Sequence, residues 1–235
     1  MLNVILPCAG KGTRLNLPYS KEIHKISPNH SLIDISLNLC KKNIKLVDQI
    51  VIVTEPHKKD LIKYLDKWKR IFNIKICYFN HNYFEWAGSI LSAEKYFKKK
   101  NIVLLPDSII EDKKNILFSK SNSFLDEYDV CFAVKKERQI NKFKNLGAIY
   151  EENKIVKKFC DKPIKNLNSY NCFWCSFSFT KKNSRKLLEM MTRSIKKESV
   201  SLKNENLHGK VFYINNYLDL GTWDNLRSNK IKNYD

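Results

Sequence analysis

Short runs rich in Val, Ile and Leu alternate with helical stretches through the first half of this 235-residue chain, and that alternation constrains the fold more than any other feature. Strand-like runs fall at 2–6, 49–54, 74–79, 101–106 and 129–134. Between them, 32–42 packs Leu32, Ile33, Ile35, Leu37 and Leu39 into a helix with Ser31 as its N-cap. Segment 57–72 places Leu61, Tyr64, Leu65 and Trp68 on one helical face, and 87–97 reads as a further helix. Strands joined through helices form a mostly parallel sheet with both faces covered. The expected class is α/β: a Rossmann-like, mostly parallel mixed sheet flanked by helices, with ligands beyond the carboxyl ends of its strands.

After about residue 140 the pattern changes. Runs at 146–150, 155–159 and 170–180 read as antiparallel strands, the first two joined by a turn at Glu151-Glu152-Asn153. They form a small antiparallel insertion in the second half. A helix over 181–197 with Leu187, Leu188, Met190 and Met191, a strand over 211–214 and a closing helix over 222–230 complete the chain. The stretch 196–209 is expected to be the most mobile. No linker or repeat interrupts the sequence, so it reads as a single domain over 1–235, with halves 1–135 and 136–235.

A formal net charge of +19 invites a nucleic-acid or acidic-membrane reading. The lysines are dispersed, however, as in Lys58-Lys59, Lys98-Lys99-Lys100 and Lys196-Lys197, and no nucleic-acid-binding motif accompanies them. They read as solvated faces, and neither nucleic acid nor a membrane is expected as a partner. No run approaches the roughly 18 apolar residues of a membrane helix. Val4-Ile5-Leu6 runs straight into Pro7 and Gly10 instead of lengthening into a secretion signal, so a cytoplasmic location is expected. Seven cysteines without regular spacing argue against a disulfide framework. Cys172-x-x-Cys175 has no second Cys or His pair nearby and reads as packing.

The first strand ends in Gly10-Lys11-Gly12-Thr13-Arg14, and Lys21 stands seven positions after Arg14. Glycines let a backbone approach a phosphate and aim N–H groups at it, while Arg14 and Lys21 add fixed positive charge. The third glycine of a dinucleotide fingerprint is absent, since Leu15 stands there, and no Gly-Lys-Ser/Thr makes a Walker A loop. A basic glycine loop after an N-terminal strand is a place to hold a nucleoside triphosphate.

Three further motifs follow in order: Leu104-Leu105-Pro106-Asp107, then Asp161-Lys162-Pro163 after Leu146-Gly147-Ala148-Ile149, then Leu218-Asp219-Leu220-Gly221-Thr222. With the opening loop, this set resembles the nucleotidyltransferase superfamily of sugar-phosphate nucleotidyltransferases and cytidylyltransferases, whose fold is glycosyltransferase-A-like. The resemblance spans nearly the whole chain. It implies nucleotide contacts at Leu6, Ala9, Gly10, Gly12, Thr13, Gly88 and Ser89, the last two facing the base. It implies an acceptor site at Gly147, Asp161, Lys162 and Trp174, with Lys162 on the acceptor phosphate.

The chemistry agrees with that resemblance. A phosphate attacks the α-phosphorus of a nucleoside triphosphate and pyrophosphate leaves, so two polyanions must be neutralised and aligned. Arg14 would grip the β/γ-phosphates, and Lys21 would neutralise the α-phosphate. Asp107 and Asp219 each follow an apolar strand and could converge on one Mg²⁺. The short span from Arg14 to Lys21 resembles cytidylyltransferases, which favours CTP over UTP and dTTP. The expected acceptor is a sugar 1-phosphate. Alternatives are a non-sugar phosphate such as phosphocholine, glycerol phosphate or a phosphorylated amino acid, and a catalytically silent relative. Trp174, where many sugar enzymes carry a small residue, would stack on a sugar or close the pocket around a smaller acceptor. His24 is expected to pack against a helix face. A homo-oligomer is compatible with the sequence.

Overall fold

The computed structural model of the chain describes residues 1–83, 85–195 and 199–227. Its first half is built from β1 (Leu2–Pro7), α1 (Leu32–Lys42), β2 (Val47–Thr54), α2 (Lys59–Tyr64), α3 (Asp66–Lys69), β3 (Ile74–Tyr78), α4 (Glu85–Ser92), β4 (Lys100–Val103), β5 (Ser108–Glu111) and α5 (Leu117–Phe124). The second half adds β6 (Val130–Lys136), β7 (Gly147–Glu152), β8 (Ile155–Asp161), β9 (Cys172–Thr180), α6 (Ser184–Ile195), β10 (Gly209–Tyr213), β11 (Asn216–Asp219) and α7 (Trp223–Arg227).

Nine strands form one mixed sheet in the order β3-β2-β1-β4-β9-β6-β10-β8-β7. Strands β1 to β4 pair in parallel, as the helical crossovers require. Strand β9 then runs antiparallel between β4 and β6, which restores β6 to the direction of β1. The antiparallel strands of the second half therefore share one sheet with the strands of the first half.

Burial on both faces explains why β1 is continuously apolar. Val4 and Leu6 face a cluster with Ile33 and Leu37 of α1 and Phe118 of α5. Ile5 points the other way, into a cluster with Ile90 of α4 and Leu187, Leu188, Met190 and Met191 of α6. Successive side chains of a strand point to opposite faces, so each layer of helices takes alternate residues. Among the described residues no helix is long and apolar enough to cross a membrane.

Several boundaries differ from the sequence expectation. The helix expected over 57–72 is two short helices, broken at Leu65, whose carbonyl accepts from both Trp68 N and Lys69 N. Buried Asp34 draws this segment inward by accepting from Tyr64 Oη and Trp68 Nε1, and it also closes the start of α1 by accepting from Ser31 N at 2.9 Å. The helix expected over 87–97 ends at Ser92 and continues as a single tight turn. The strand expected over 101–106 stops at Val103. Strand β5 was not expected; the strand expected just before Asp219 is β11 and includes that residue, and the two form a separate two-stranded sheet. Helix α5 was likewise unassigned. The ends of the helices expected over 181–197 and 222–230, and part of the stretch 196–209, lie outside the described residues.

Candidate active site

The glycine loop leaves the carboxyl edge of β1. Cys8 N donates to Val53 O at 2.7 Å, so the chain holds to the sheet for one residue more before it turns. Gly12 lies at φ +67, a left-handed conformation that favours glycine, and its carbonyl accepts from Leu15 N and Asn16 N at 3.0 Å each. Gly10 is exposed, and nothing stands within 4 Å of where a Cβ would project, so one face of the loop is open. Thr13 is exposed on the turn, whereas Leu6 is wholly buried and Ala9 nearly so. The side chain of Leu6 thus belongs to the core.

Sequence reasoning missed what holds this loop from beneath. Lys58 Nζ donates to the carbonyls of Cys8 at 2.7 Å and Gly10 at 2.9 Å, and pairs with Glu22 at 3.0 Å. Both side chains are buried, at 6% and 0% exposure. Burial raises the Glu22 carboxyl above its usual range, and the Lys58 and Lys21 cations pull against that rise. A lysine among so many others gives no signal in one dimension. From the other side, Trp223 Nε1 donates to Leu15 O at 3.1 Å. His24 packs edge-on against that indole and shares a 2.8 Å hydrogen bond with Tyr19 Oη, the packing role expected of it. Ser20 donates from N and Oγ to Asp60 at 2.8 and 2.6 Å. A cleft of about 420 Å³ opens beside these residues, lined by Lys11, Gly12, Tyr19, Lys21, His57 and Asp60 among others.

The two aspartates meet because β5 and β11 pair. Asp219 lies opposite Ser108 in that ladder, and Leu220 N donates to Asp107 O at 2.8 Å. Lys21 Nζ donates to Asp107 Oδ2 at 2.6 Å. Burial alone would depress the Lys21 ammonium, but the Asp107 carboxylate, with smaller help from Glu22 and Cys8, outweighs it and the net shift is upward, which keeps Lys21 charged. Arg14 lies 3.8 Å from Asp219, with both side chains open to solvent. Asp219 Oδ1 also accepts from Gly221 N at 2.8 Å. A Cβ on Gly221 would stand 2.8 Å from Arg14 Nη2, so this glycine makes room for the guanidinium. Arg14, Lys21, Asp107 and Asp219 thus form one cluster on the carboxyl rim.

The residues expected at the acceptor form a second cluster. Gly147 and Asp161 lie opposite each other at the ends of β7 and β8. Lys162 follows at φ +52, exposed, with its N donating to Leu146 O at 3.0 Å. The Trp174 indole covers Gly147: a Cβ there would fall 1.8 Å from Trp174 Nε1. Trp86, at the start of α4, lies 5.3 Å from Trp174 between ring centres, and its Nε1 donates to Asp161 Oδ2 at 3.3 Å. Gly88 and Ser89 are buried two and three residues further on. The space beside Gly88 is taken by Tyr83, whose Cβ would lie 2.7 Å from an added Cβ, so it is not open to a flat ring as expected. Ser89 Oγ is buried without a hydrogen-bond partner among the described residues.

A mixed α/β sheet with a basic glycine loop and paired aspartates on its carboxyl rim defines a nucleotide-handling fold. The nucleotidyl transferase family model matches residues 2–233, and the chain belongs to that family. It is a nucleotidyltransferase. Solved structures agree in fold at low identity. An apo UDP-glucose pyrophosphorylase superposes with a TM-score of 0.76 at 15% identity, covering 96% of this chain and 95% of that one. The UTP-bound enzyme of Acinetobacter baumannii gives 0.72 at 14%, covering 96% and 90%. The inositol-1-phosphate CTP transferase of T. maritima gives 0.71 at 18%, covering 99% and 94%. No curated protein sequence matches the chain.

Proposed function

We propose that this chain joins the nucleoside monophosphate of an NTP, CTP in preference to UTP or dTTP, to a phosphorylated acceptor, in a Mg²⁺-dependent reaction. The observation that carries the reading is the β5–β11 ladder, which brings Asp107 and Asp219 together beside Lys21 and Arg14. Residues 1–135 would bind the nucleotide and 136–235 the acceptor.

Two carboxylates from adjacent strands suit Mg²⁺, which takes one or two carboxylates and completes its shell with phosphate oxygens and water. Among the described residues no group of three or more His, Cys, Asp or Glu offers a fuller protein cage. Asp107 and Asp219 would hold the ion, which when bound supplies charge neutralisation at the reacting phosphates. Open loop backbone around Gly10, Gly12 and Thr13 would receive the triphosphate. Arg14 would hold the β/γ-phosphates, and Lys21, already charged, would neutralise the α-phosphate. Lys162 would hold the acceptor phosphate, one of whose oxygens attacks the α-phosphorus. The bond from that phosphorus to the oxygen bridging to the β-phosphate breaks, and pyrophosphate leaves with the electron pair. No general base is needed, because the acceptor phosphate is ionised at neutral pH. The preference for CTP rests on the short span between Arg14 and Lys21. A sugar 1-phosphate is the acceptor suggested by the resemblance, with Trp174, which lies over Gly147, stacking on its ring or closing the pocket around a smaller acceptor.

The test is pyrophosphate release with each NTP crossed against a panel of sugar phosphates and non-sugar phosphate monoesters, with and without Mg²⁺. Mg²⁺-dependent release with at least one pair is expected, and silence over the whole panel would refute the proposal.

A further inference from the structure

Resting on the reading that the glycine loop receives a triphosphate, we infer that Lys58 is a positioning residue for that loop: by holding the carbonyls of Cys8 and Gly10 it aims the N–H groups of Ala9 and Lys11 at the phosphates. The described peptide bonds are all trans, so the C=O of one residue and the N–H of the next point in opposite directions. Lys58 Nζ takes the Cys8 carbonyl at 2.7 Å and the Gly10 carbonyl at 2.9 Å. The N–H groups of Ala9 and Lys11 are thereby turned to the side away from the ammonium. Among the described residues neither has a hydrogen-bond partner, nor does any other N–H from Gly10 to Arg14. Ala9 is all but buried, and a backbone donor withdrawn from water is costly unless something accepts from it. Loop N–H groups turned to one side make an anion-binding concavity, and phosphate oxygens are the acceptors it takes.

Charge alone does not account for the lysine. Its partner Glu22, 3.0 Å away and wholly buried, balances it, so the pair adds little net field at the open face of the loop. Lys11, Arg14 and Lys21 supply positive charge there. What Lys58 adds is direction. An ammonium has three protons to donate, and here they serve the two carbonyls and the Glu22 carboxylate. With its side chain 6% exposed and its protons so directed, Lys58 acts through the loop and not on the ligand. Glu22 directly follows Lys21 in the chain, so the same pair ties the α-phosphate lysine to the loop that takes the rest of the triphosphate.

The test measures equilibrium binding of CTP, UTP, dTTP and inorganic tripolyphosphate, each with Mg²⁺, to the full chain. Glu22→Gln is the reference, because it lacks the buried carboxylate and keeps the lysine. Glu22→Gln/Lys58→Met removes the lysine as well and strands no charge. The double variant should bind its best NTP and tripolyphosphate about tenfold more weakly than the reference, by similar factors, because the loop donors meet only phosphate. A lysine that merely stabilises the fold predicts equal affinity at a temperature where circular dichroism shows both variants folded. Affinities within about twofold of each other therefore overturn the inference, and so does a loss confined to the NTPs with tripolyphosphate unaffected. A second readout needs no variant. In the unmodified chain the amide resonances of Ala9 and Lys11 should be among those that tripolyphosphate shifts most, and amides that stay in place at saturation overturn the inference. In each of these cases NTP binding by the unmodified chain leaves the triphosphate reading standing. An unmodified chain that binds no NTP and no tripolyphosphate overturns both.

Discussion

Replacing Lys58 with methionine would remove the cation beneath the glycine loop while keeping much of the side-chain volume. The ammonium serves both oxygens of Glu22, at 3.0 and 3.1 Å, and the carbonyls of Cys8 and Gly10. Its loss strands a fully buried carboxylate and two loop carbonyls. Removing one partner of a buried pair costs about 3–5 kcal/mol. For a domain of this size each kcal/mol moves Tm by about 2–4 °C, so the variant should melt about 6–20 °C lower at neutral pH. The pH dependence follows from Glu22. Burial already raises its folded pKa against the pull of Lys58 and Lys21. Between the unfolded and folded pKa values the folded state binds more protons, so stability falls as pH rises through that window. Without Lys58 the folded pKa climbs further and the window widens. The deficit relative to the parent should therefore grow from acid towards neutral pH. Thermal and urea melts from pH 5 to 8 measure it, and Glu22→Gln/Lys58→Met should recover most of the loss. A deficit under about 1 kcal/mol at pH 8, or a pH-independent one that the double variant does not relieve, would refute the reasoning.

Asp107→Asn and Asp219→Asn should each lower pyrophosphate release by about a hundred- to a thousandfold, with the melting curve close to the parent's for Asp219→Asn and lowered for Asp107→Asn, which leaves the largely buried Lys21 ammonium without its carboxylate. Near-normal turnover would remove that residue from the metal site. Gly221→Ala sets a Cβ 2.8 Å from Arg14 Nη2, the movable end of a side chain, so it should raise the KM for NTP about tenfold with little change in Tm. Gly147→Ala meets the less movable Trp174 indole at 1.8 Å and should instead destabilise the fold by about 1–3 kcal/mol. Combining it with Trp174→Ala should cost less than the sum of the two single changes in urea melts.

The parallel half of the sheet was legible because its strands are buried on both faces and therefore read as unbroken apolar runs, as in Val51-Ile52-Val53. The four motifs were legible because each holds a residue type that chemistry rarely replaces. Strand β5 was not legible, being four residues and only part-apolar, and neither was its pairing with the strand at Asp219. Their pairing is a contact between residues about a hundred positions apart. Helix 57–72 was overread because periodicity records which residues face inward, not that Asp34 draws Tyr64 and Trp68 towards itself. Gly88 was misread for the same reason. Its glycine answers to Tyr83, a neighbour in space whose demand no local pattern records.

By itself the sequence determined the family, the α/β class and the inventory of charges: a basic glycine loop, two aspartates and an acidic-lysine-proline motif. These follow from local patterns of burial and from residue chemistry, both of which are written along the chain. The tertiary structure alone decided which charges meet. It paired Lys21 with Asp107 and Arg14 with Asp219, set Lys58 under the loop, and laid Trp174 across Gly147 beside Trp86 and Asp161. Such contacts depend on strand order and register, which the packing of the whole sheet sets.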